Sequence, residues 1–253
     1  MLLNFKNVSK SYGRVKALKK VSFELYKGEI VGLIGANGAG KTTTVLHIVR
    51  YLVPDEGIIT LKGKPLNQYE DTHYPVTYMP DSPVYYEELT VEEHLQLLAS
   101  VYKKDQEDVD KIVDRLELEE HLDKLPEALS KGTKQKLMIA CAVLRDYELF
   151  VADEPFTGLD PKQIRVLKDI FIEQREAGKT VLLSTHLLDV IEAFCDRYIL
   201  LHKGVVLAQG RKGDIAKAHG LGIDCTLEQL YLEISGASAY PSAEESEADA
   251  FDS

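Results

Sequence analysis

The chain has 253 residues, of which 45% are hydrophobic and 28% are charged, and this suits one large globular α/β domain, alone or with a subdomain. Its net charge of −11 argues against a nucleic-acid binder, because such binding depends on neutralising phosphates with Lys and Arg. No apolar run approaches the roughly 18 residues needed to cross a bilayer, and residues 1–10 lack the layout of a secretion signal.

The three cysteines, Cys141, Cys195 and Cys225, are scattered along the chain and form no C-x-x-C pair. An odd number without paired spacing is typical of reduced cytosolic thiols rather than of a disulfide framework. We therefore expect these thiols to lie in or near the core.

Short β-strands are predicted in the first sixty residues. Residues 2–8 alternate apolar and polar side chains and are predicted to form an edge strand, followed by a turn at 11–13. Residues 21–26 predict a second strand, and residues 58–62 predict another after the turn-forming segment 54–57. These strands predict an antiparallel sheet beside the parallel sheet of the core.

Residues 35–42, the phosphate loop, match G-x-x-x-x-G-K-[ST], the pattern of P-loop nucleotidases. A predicted buried strand at 29–34 precedes them and a predicted helix at 43–52 follows, which is the setting that the motif requires. The glycines let backbone N–H groups turn inward, and the helix N-terminus adds partial positive charge. We expect Lys41 to reach the β- and γ-phosphates and the Thr42 hydroxyl to bind Mg²⁺. The residues predicted to bind nucleotide here are Gly35, Ala36, Asn37, Gly38, Ala39, Gly40, Lys41, Thr42 and Thr43.

Residues 83–145 have a helical character. Residues 90–93 match a capping box, and Val91, Leu95 and Leu98 follow with helical spacing. Two further amphipathic helices are predicted, one through residues 109–116 and one beginning after Ser130. These helices predict a subdomain inserted into the α/β core.

The core pattern then resumes. Residues 148–152 predict a buried strand that ends in Asp153 and Glu154, and residues 180–184 predict another that ends before His186. The remaining predicted elements are helices over 161–177 and 187–194, strands over 198–201 and 205–208, and helices over 212–218 and 226–234.

The predicted fold class is α/β: a P-loop nucleotidase core with an N-terminal antiparallel β subdomain and an inserted α-helical subdomain at about 83–145. Together these occupy residues 1–235. Residues 236–253 contain five acidic residues and no Lys or Arg, and they predict a disordered tail. A solvated extension is favoured over a regulatory element for this tail.

The carboxylates that end the strand at 148–152 have separable predicted roles. Asp153 would hold Mg²⁺, through water, and Glu154 would polarise the water that attacks a γ-phosphate. An acidic pair at a strand end also serves as a helix cap or an ion-pair partner elsewhere. The phosphate loop in the same chain favours the catalytic interpretation.

Five motifs follow one another along the chain, at residues 35–42, 129–135, 149–154, 158–160 and 184–186. In this order they resemble the Walker A loop, signature, Walker B motif, D-loop and switch histidine of the ATP-binding-cassette ATPase family. The resemblance covers about residues 1–235. Any one motif alone is weakly diagnostic, whereas the ordered set is specific.

The resemblance implies a head-to-tail pair of cassettes with ATP between the Walker A loop of one and the signature of the other. Ser130 and the N–H of Gly132 would bind the γ-phosphate in trans, and Asp160 would lie at the dimer seam. His186 would hydrogen-bond the γ-phosphate and the attacking water, and Tyr12 would stack on adenine. Without the family pattern, a structural histidine and an ordinary turn tyrosine explain the last two residues equally well.

Two departures from the family pattern stand out. Asp81 occupies the Q-loop position where the family has a glutamine. It is either a variant Mg²⁺ ligand, which we favour, or part of a loop that only communicates with the transport partner. The signature has Lys131 and Thr133 in place of a glycine and the glutamine. The pattern Leu-Ser-Lys-Gly-x-x-Gln with an acidic Q-loop residue resembles the Ecs-type bacterial ATPases.

The resemblance implies a transporter subunit that hydrolyses ATP at the cytoplasmic face of the cell membrane. Its expected partners are a permease, encoded as another chain, and a second cassette, expected to be an identical copy. Tyr85, Tyr86, Leu89 and Tyr102 are candidates for lining the groove that receives a permease helix, and subdomain core is the alternative, favoured for the last two. No nucleic-acid partner is expected. Two other functions stay open: a soluble cassette ATPase acting on ribosomes or nucleic acid, and a regulatory clamp with weak hydrolysis.

Overall fold

The structure, a computed structural model, describes residues 1–82 and 84–236. The strands are β1 Leu3–Tyr12, β2 Val15–Leu25, β3 Ile30–Ile34, β4 Glu56–Leu61, β5 Lys64–Pro65, β6 Val76–Met79, β7 Leu149–Asp153, β8 Thr180–Thr185, β9 Arg197–His202 and β10 Val205–Gly210. The helices are α1 Lys41–Ile48, α2 Val91–Tyr102, α3 Gln106–Leu116, α4 Lys131–Val143, α5 Pro161–Glu176, α6 Leu188–Glu192, α7 Lys212–Ala218 and α8 Leu227–Ser235. The predicted α/β fold class is confirmed.

The N-terminal strands form the predicted antiparallel sheet, in the order β2-β1-β4-β5. The prediction that residues 2–8 form an edge strand is wrong, because Leu3 pairs with Leu25 on one side and with Leu61 on the other. Alternation of apolar and polar residues reports which face of a strand is buried. It carries no information on which backbone edges are paired, since those bonds are made by the backbone alone.

The second sheet has the order β10-β9-β3-β8-β7-β6, with only β10 antiparallel to its neighbour. The phosphate loop leaves the carboxyl end of β3, between β8 and β9. Ile34 at that end is in register with Thr185, and Asp153 is in register with Ser184. The register therefore delivers the chemically active segments to one edge of the sheet, where ligands bind in parallel α/β sheets.

Both faces of this central sheet are covered, as parallel sheets require. Alternate residues of β3 point in opposite directions: Ile30 and Ile34 pack into the core beneath the helices. Val31 and Leu33 pack into the core shared with α1 and the antiparallel sheet. Every residue of β3 is buried, so the strand that carries the phosphate loop is fixed from both sides.

The helix ends agree with prediction at α2 and differ from it at α1. The capping box of α2 forms, with Thr90 N donating to Glu93 Oε2 at 2.8 Å and Glu93 N to Thr90 Oγ1 at 3.2 Å, an arrangement worth about 1 kcal/mol. Helix α1 ends at Ile48 rather than at residue 52, because Arg50 adopts a left-handed φ of 66°. The strand β6 was not predicted, since four residues are too few for periodicity to be read.

The predicted domain boundaries stay predictions. The helices expected between residues 83 and 145 are present, but Pro83 itself and residues 237–253, the bulk of the predicted acidic tail, lie outside the described residues. Gly236 ends α8 with a φ of 65°. Within the described ranges, no helix has the length and apolar character needed to cross a membrane.

Candidate nucleotide-binding site

The phosphate loop connects β3 to α1 and begins against the backbone of β9. A Cβ atom on Gly35 would lie 2.3 Å from the carbonyl oxygen of Leu201 and 2.8 Å from Cβ of Ala39. A side chain cannot occupy that space without movement of the backbone. The first residue of the loop must therefore be glycine for reasons of packing, before any ligand is considered.

Lys41, the first residue of α1, folds back over the loop and is 7% exposed. Its Nζ donates to the carbonyl of Gly35 at 2.8 Å and lies 3.7 Å from Glu154 Oε1. Gly40 caps the helix with a φ of 105° and supplies no side-chain cap. The first amides of α1, as in any α-helix, have no intrahelical partners. The ammonium group and the helix N-terminus together make the loop attractive to anions.

Asp153 ends β7 and is 2% exposed. Burial raises the pKa of its carboxyl group, the nearby Glu154 and Asp81 carboxylates raise it further, and the hydroxyls of Ser184 and Thr42 offset part of the rise. Its Oδ1 atom is buried without a hydrogen-bond partner among the described residues. A cation would give this oxygen the partner that buried polar atoms require.

The donor set here fits Mg²⁺ shared with a phosphate. The Thr42 hydroxyl and the Asp153 carboxylate are the oxygen donors that Mg²⁺ prefers, and this ion keeps water and substrate oxygens as its other ligands. Among residues 1–82 and 84–236, no group of three or more His, Cys, Asp and Glu side chains could hold a metal by itself. The two donors are therefore suited to a metal that arrives with a phosphorylated ligand.

Glu154 is held in place by residues that end β8. Its Oε2 accepts from Thr185 Oγ1 at 2.9 Å and from the backbone N–H of His186 at 3.3 Å, and lies 2.9 Å from His186 Nδ1. Glu154 itself has a left-handed φ of 47°, a conformation that costs about 1–3 kcal/mol in non-glycine residues. The structure thus brings Glu154 and His186 together at a strained position, and such strain is concentrated at functional sites.

One groove of about 640 Å³, the nucleotide groove, gathers most of the predicted residues. Asp81 and Tyr12, the latter 47% exposed, both line it. The other predicted residues that line it are Ala36, Asn37, Gly38, Gly40, Lys41, Thr42, Thr43 and Glu154. The groove therefore joins the phosphate loop, the Q-loop position and the end of β1.

Three lysines that were not predicted also line the nucleotide groove. Lys16 and Lys19 lie on β2, and Lys203 lies in the turn between β9 and β10. Three ammonium groups in addition to Lys41 suit a ligand with several negative charges. In the sequence these residues are ordinary exposed strand and turn lysines, and only the fold places them together.

The signature segment, residues 129–135, lies outside the nucleotide groove. Ser130 caps α4, its Oγ accepting from Thr133 N at 3.1 Å and lying 2.9 Å from Thr133 Oγ1. Asp160 caps α5 in a capping box with Gln163, and a Cβ on Gly132 would lie 3.2 Å from the same Gln163 side chain. Ser130, Gly132 and Asp160 therefore gather beside the start of α5, on a surface separate from the phosphate loop.

Known proteins resemble this chain closely. Residues 18–157 match the protein family described as ABC transporter. The chain is 42% identical over 239 residues to the ABC-type transporter ATP-binding protein EcsA of Bacillus subtilis strain 168, covering 92% of this chain and 96% of that protein.

Solved structures agree with this result. The ATP-binding subunit of an ABC transporter has a TM-score of 0.86 and 40% identity, with 92% of this chain and 99% of that chain covered. The ATP-binding cassette MJ0796, solved as a dimer in a post-hydrolysis state bound to ADP and Pi, has a TM-score of 0.73 and 27% identity, with 83% and 98% covered.

The Gly35 contact gives a testable prediction. Gly35→Ala places a methyl group against the Leu201 carbonyl, and we expect the loop to shift and the Kd for MgADP to rise about tenfold or more. The control is Gly213→Ala, whose Cβ would meet nothing within 4 Å. Calorimetric titration of both variants measures the effect, and equal Kd values for Gly35→Ala and wild type would contradict the packing account.

Proposed function

This chain belongs to the ABC transporter family, and from that premise we propose that it hydrolyses ATP to drive transport through a separate membrane permease. The chain is the ATP-binding subunit and an ATPase. The observation that carries the proposal is the convergence of Lys41, Thr42 and Glu154 on one groove. A cation, a metal donor and a carboxylate base at one place are the parts that phosphoryl transfer to water needs.

Lys41 binds the phosphates in this proposal. Its Nζ donates to the Gly35 carbonyl and lies 3.7 Å from the Glu154 carboxylate. When ATP binds, Nζ donates instead to the β- and γ-phosphate oxygens. The amides of Lys41 and Thr42 bind the same phosphates at the N-terminus of α1. Tyr12, an exposed residue of the groove lining, stacks on adenine.

Thr42 and Asp153 would hold Mg²⁺, and Asp81, which lines the same groove and raises the pKa of Asp153 by its charge, would act as a variant ligand in place of the family glutamine. Bound Mg²⁺ supplies neutralisation of the charge that accumulates on the phosphates. The unpartnered Oδ1 of Asp153 supports this assignment, because a buried carboxylate oxygen without a partner is costly. A larger cluster of protein ligands is not required when phosphate and water complete the coordination.

Glu154 is the proposed general base. Its carboxylate accepts the proton of the attacking water, and Thr185 and the backbone of His186 fix the orientation of the carboxylate. The His186 side chain is 56% exposed. Its Nδ1 lies against Glu154 Oε2, and its Nε2 would hydrogen-bond a γ-phosphate or the water when nucleotide is bound. The 2.9 Å separation of His186 Nδ1 and Glu154 Oε2 supports a shared role for the base and the histidine.

A second copy of the chain completes the site. The signature segment and Asp160 lie away from the nucleotide groove of their own chain, which supports contact in trans between two head-to-tail copies. In that pair, Ser130 and the N–H of Gly132 face the γ-phosphate of the other copy, at the N-terminus of α4. The MJ0796 cassette, whose structure is dimeric, supports such pairing.

The variant Glu154→Gln tests the chemical part of this proposal. Loss of the base is expected to lower kcat about 100-fold or more, while the Kd for MgADP stays within about threefold of wild type. In MgATP the variant is expected to elute as a dimer in size-exclusion chromatography, because hydrolysis no longer separates the copies. The matched control is Glu173→Gln, which removes only an exposed ion pair with Arg115. Retained turnover in Glu154→Gln would rule out the assigned base.

The permease is proposed to dock in a groove lined by Val49, Arg50, Tyr51, Asp71, Tyr74, Val76, Tyr78 and Arg145, the docking groove. Tyr51 is 73% exposed and meets Tyr78 edge to face at 6.1 Å. Val76 and Tyr78 lie on β6, and Asp81, three residues beyond Tyr78, lines the nucleotide groove. A short cytoplasmic helix of the permease bound here would contact the strand β6, which leads towards the nucleotide groove. In this proposal the chain works at the cytoplasmic face of the membrane.

The four residues predicted for this role occupy different places. Tyr85 is half-buried and its hydroxyl donates to the Lys134 carbonyl, so it supports the helices. Tyr86 is 62% exposed, while Leu89 is half-buried. Tyr102 lies 5.3 Å below the guanidinium of Arg145, which itself lines the docking groove. Only Tyr86 among the four therefore offers an open side chain to a partner.

Docking is tested by co-sedimentation with inverted membrane vesicles from cells that make the protein naturally. Tyr51→Ala is expected to lower the bound fraction about fivefold or more without changing the Kd for MgADP, because aromatic anchors dominate interface energies. Ile223→Ala, which also removes an exposed apolar side chain, is the control. Loss of binding with Tyr86→Ala but not with Tyr51→Ala would move the docking surface to residues 84–89 and refute the assigned groove.

A further inference from the structure

The phosphate loop is tied to residues that do not line the nucleotide groove. The backbone N–H of Ala36 donates to the hydroxyl of Tyr231 at 2.9 Å. The carbonyl of Ala39 accepts from the backbone N–H of Gly204 at 2.9 Å. The Ala36 amide therefore already has a partner, and that partner is a side chain from outside the nucleotide groove.

Tyr231 is well placed to hold the loop. It lies on α8 and is 8% exposed, and its hydroxyl donates to the carbonyl of Leu201 at 3.4 Å while lying 3.4 Å from Nδ1 of His202. The same Leu201 carbonyl is the atom against which Gly35 packs. One buried hydroxyl thus joins the phosphate loop to the end of β9.

Helix α8 is itself anchored to the segment that follows the switch histidine. The carboxylate of Glu192 on α6 accepts from the backbone N–H of Leu227 at 2.8 Å and from Lys212 Nζ at 2.7 Å. Helix α6 begins two residues after His186. Helix α8 therefore contacts both the phosphate loop and α6, the helix that follows His186.

We propose that Tyr231 is a positioning residue for nucleotide binding, and that the docking of α8 through its hydroxyl sets the affinity of the phosphate loop for ADP and ATP. A glycine-rich loop loses more conformational freedom on ordering than any other kind of segment. A hydrogen bond that orders the loop beforehand reduces that loss on binding, and affinity rises. This inference rests on the proposed function, since it concerns the same nucleotide site.

The test compares Tyr231→Phe with wild type in the full chain. The substitution removes only the hydroxyl, and we expect the Kd for MgADP and MgATP to rise about fivefold, as for the loss of one hydrogen bond. We expect kcat at saturating ATP to stay within about twofold, because the reacting groups are untouched. Hydrogen exchange, followed by mass spectrometry, should become faster in the peptide that contains Ala36.

The matched control is Tyr147→Phe. Tyr147 is 6% exposed and its hydroxyl donates to Gln174 Oε1 at 2.7 Å, away from the nucleotide groove. This variant should lose a similar amount of thermal stability with unchanged Kd values and unchanged exchange near Ala36. The comparison separates positioning of the loop from general destabilisation.

Three results would overturn the inference. The first is an unchanged Kd and unchanged exchange near Ala36 in Tyr231→Phe. The second is a raised Kd in Tyr231→Phe that is accompanied by a Tm well below that of Tyr147→Phe and by faster hydrogen exchange throughout β3 and α1. That result would show a structural role only. The third is absence of MgADP binding by the wild-type chain, which would refute the proposed function itself.

Discussion

The register of the central parallel strands is the constraint on which the site depends. Because Ile34 is opposite Thr185 and Ser184 is opposite Asp153, three strand ends deliver the phosphate loop, the Glu154 carboxylate and His186 to one edge. A slip of one residue would turn each side chain to the opposite face of the sheet. Burial of β3 on both faces makes such a slip costly, so the core protects the geometry of the chemistry.

Two features of that edge are costly by themselves. Asp153 is buried with an unpartnered oxygen, and Glu154 sits in a left-handed conformation that its neighbours hold in place. These features destabilise the chain when considered alone. They are explained if the edge is shaped for a ligand that brings both negative phosphates and a cation, since such a ligand satisfies the groups that the fold leaves unsatisfied.

Much of the site is encoded locally and was predicted from sequence. The glycines and Lys41 of the phosphate loop, the strand ending in Asp153 and the caps at Thr90 and Ser130 depend on residues close together in the chain. Their signals therefore survive in short windows of sequence. The fold class followed from the same local signals.

The features that were missed depend on pairings between distant segments. The second partner of β1 is β4, some fifty residues away, and the tie between Ala36 and Tyr231 spans 195 residues. The lysines at 16, 19 and 203 meet only once β2 and the turn after β9 are placed. No local pattern distinguishes such residues from ordinary surface or core positions, because their neighbours are chosen by the fold.

The central claim is that this ATPase works through a membrane permease. The most direct measurement is affinity capture with the tagged Glu154→Gln variant from detergent-solubilised native cells in MgATP, with partners identified by mass spectrometry. The account predicts recovery of a polytopic membrane protein in proportion to the captured chain, and reduced recovery without nucleotide. Recovery of ribosomal or DNA-associated proteins with no membrane protein would contradict it, and would assign the ATPase to a different kind of machine.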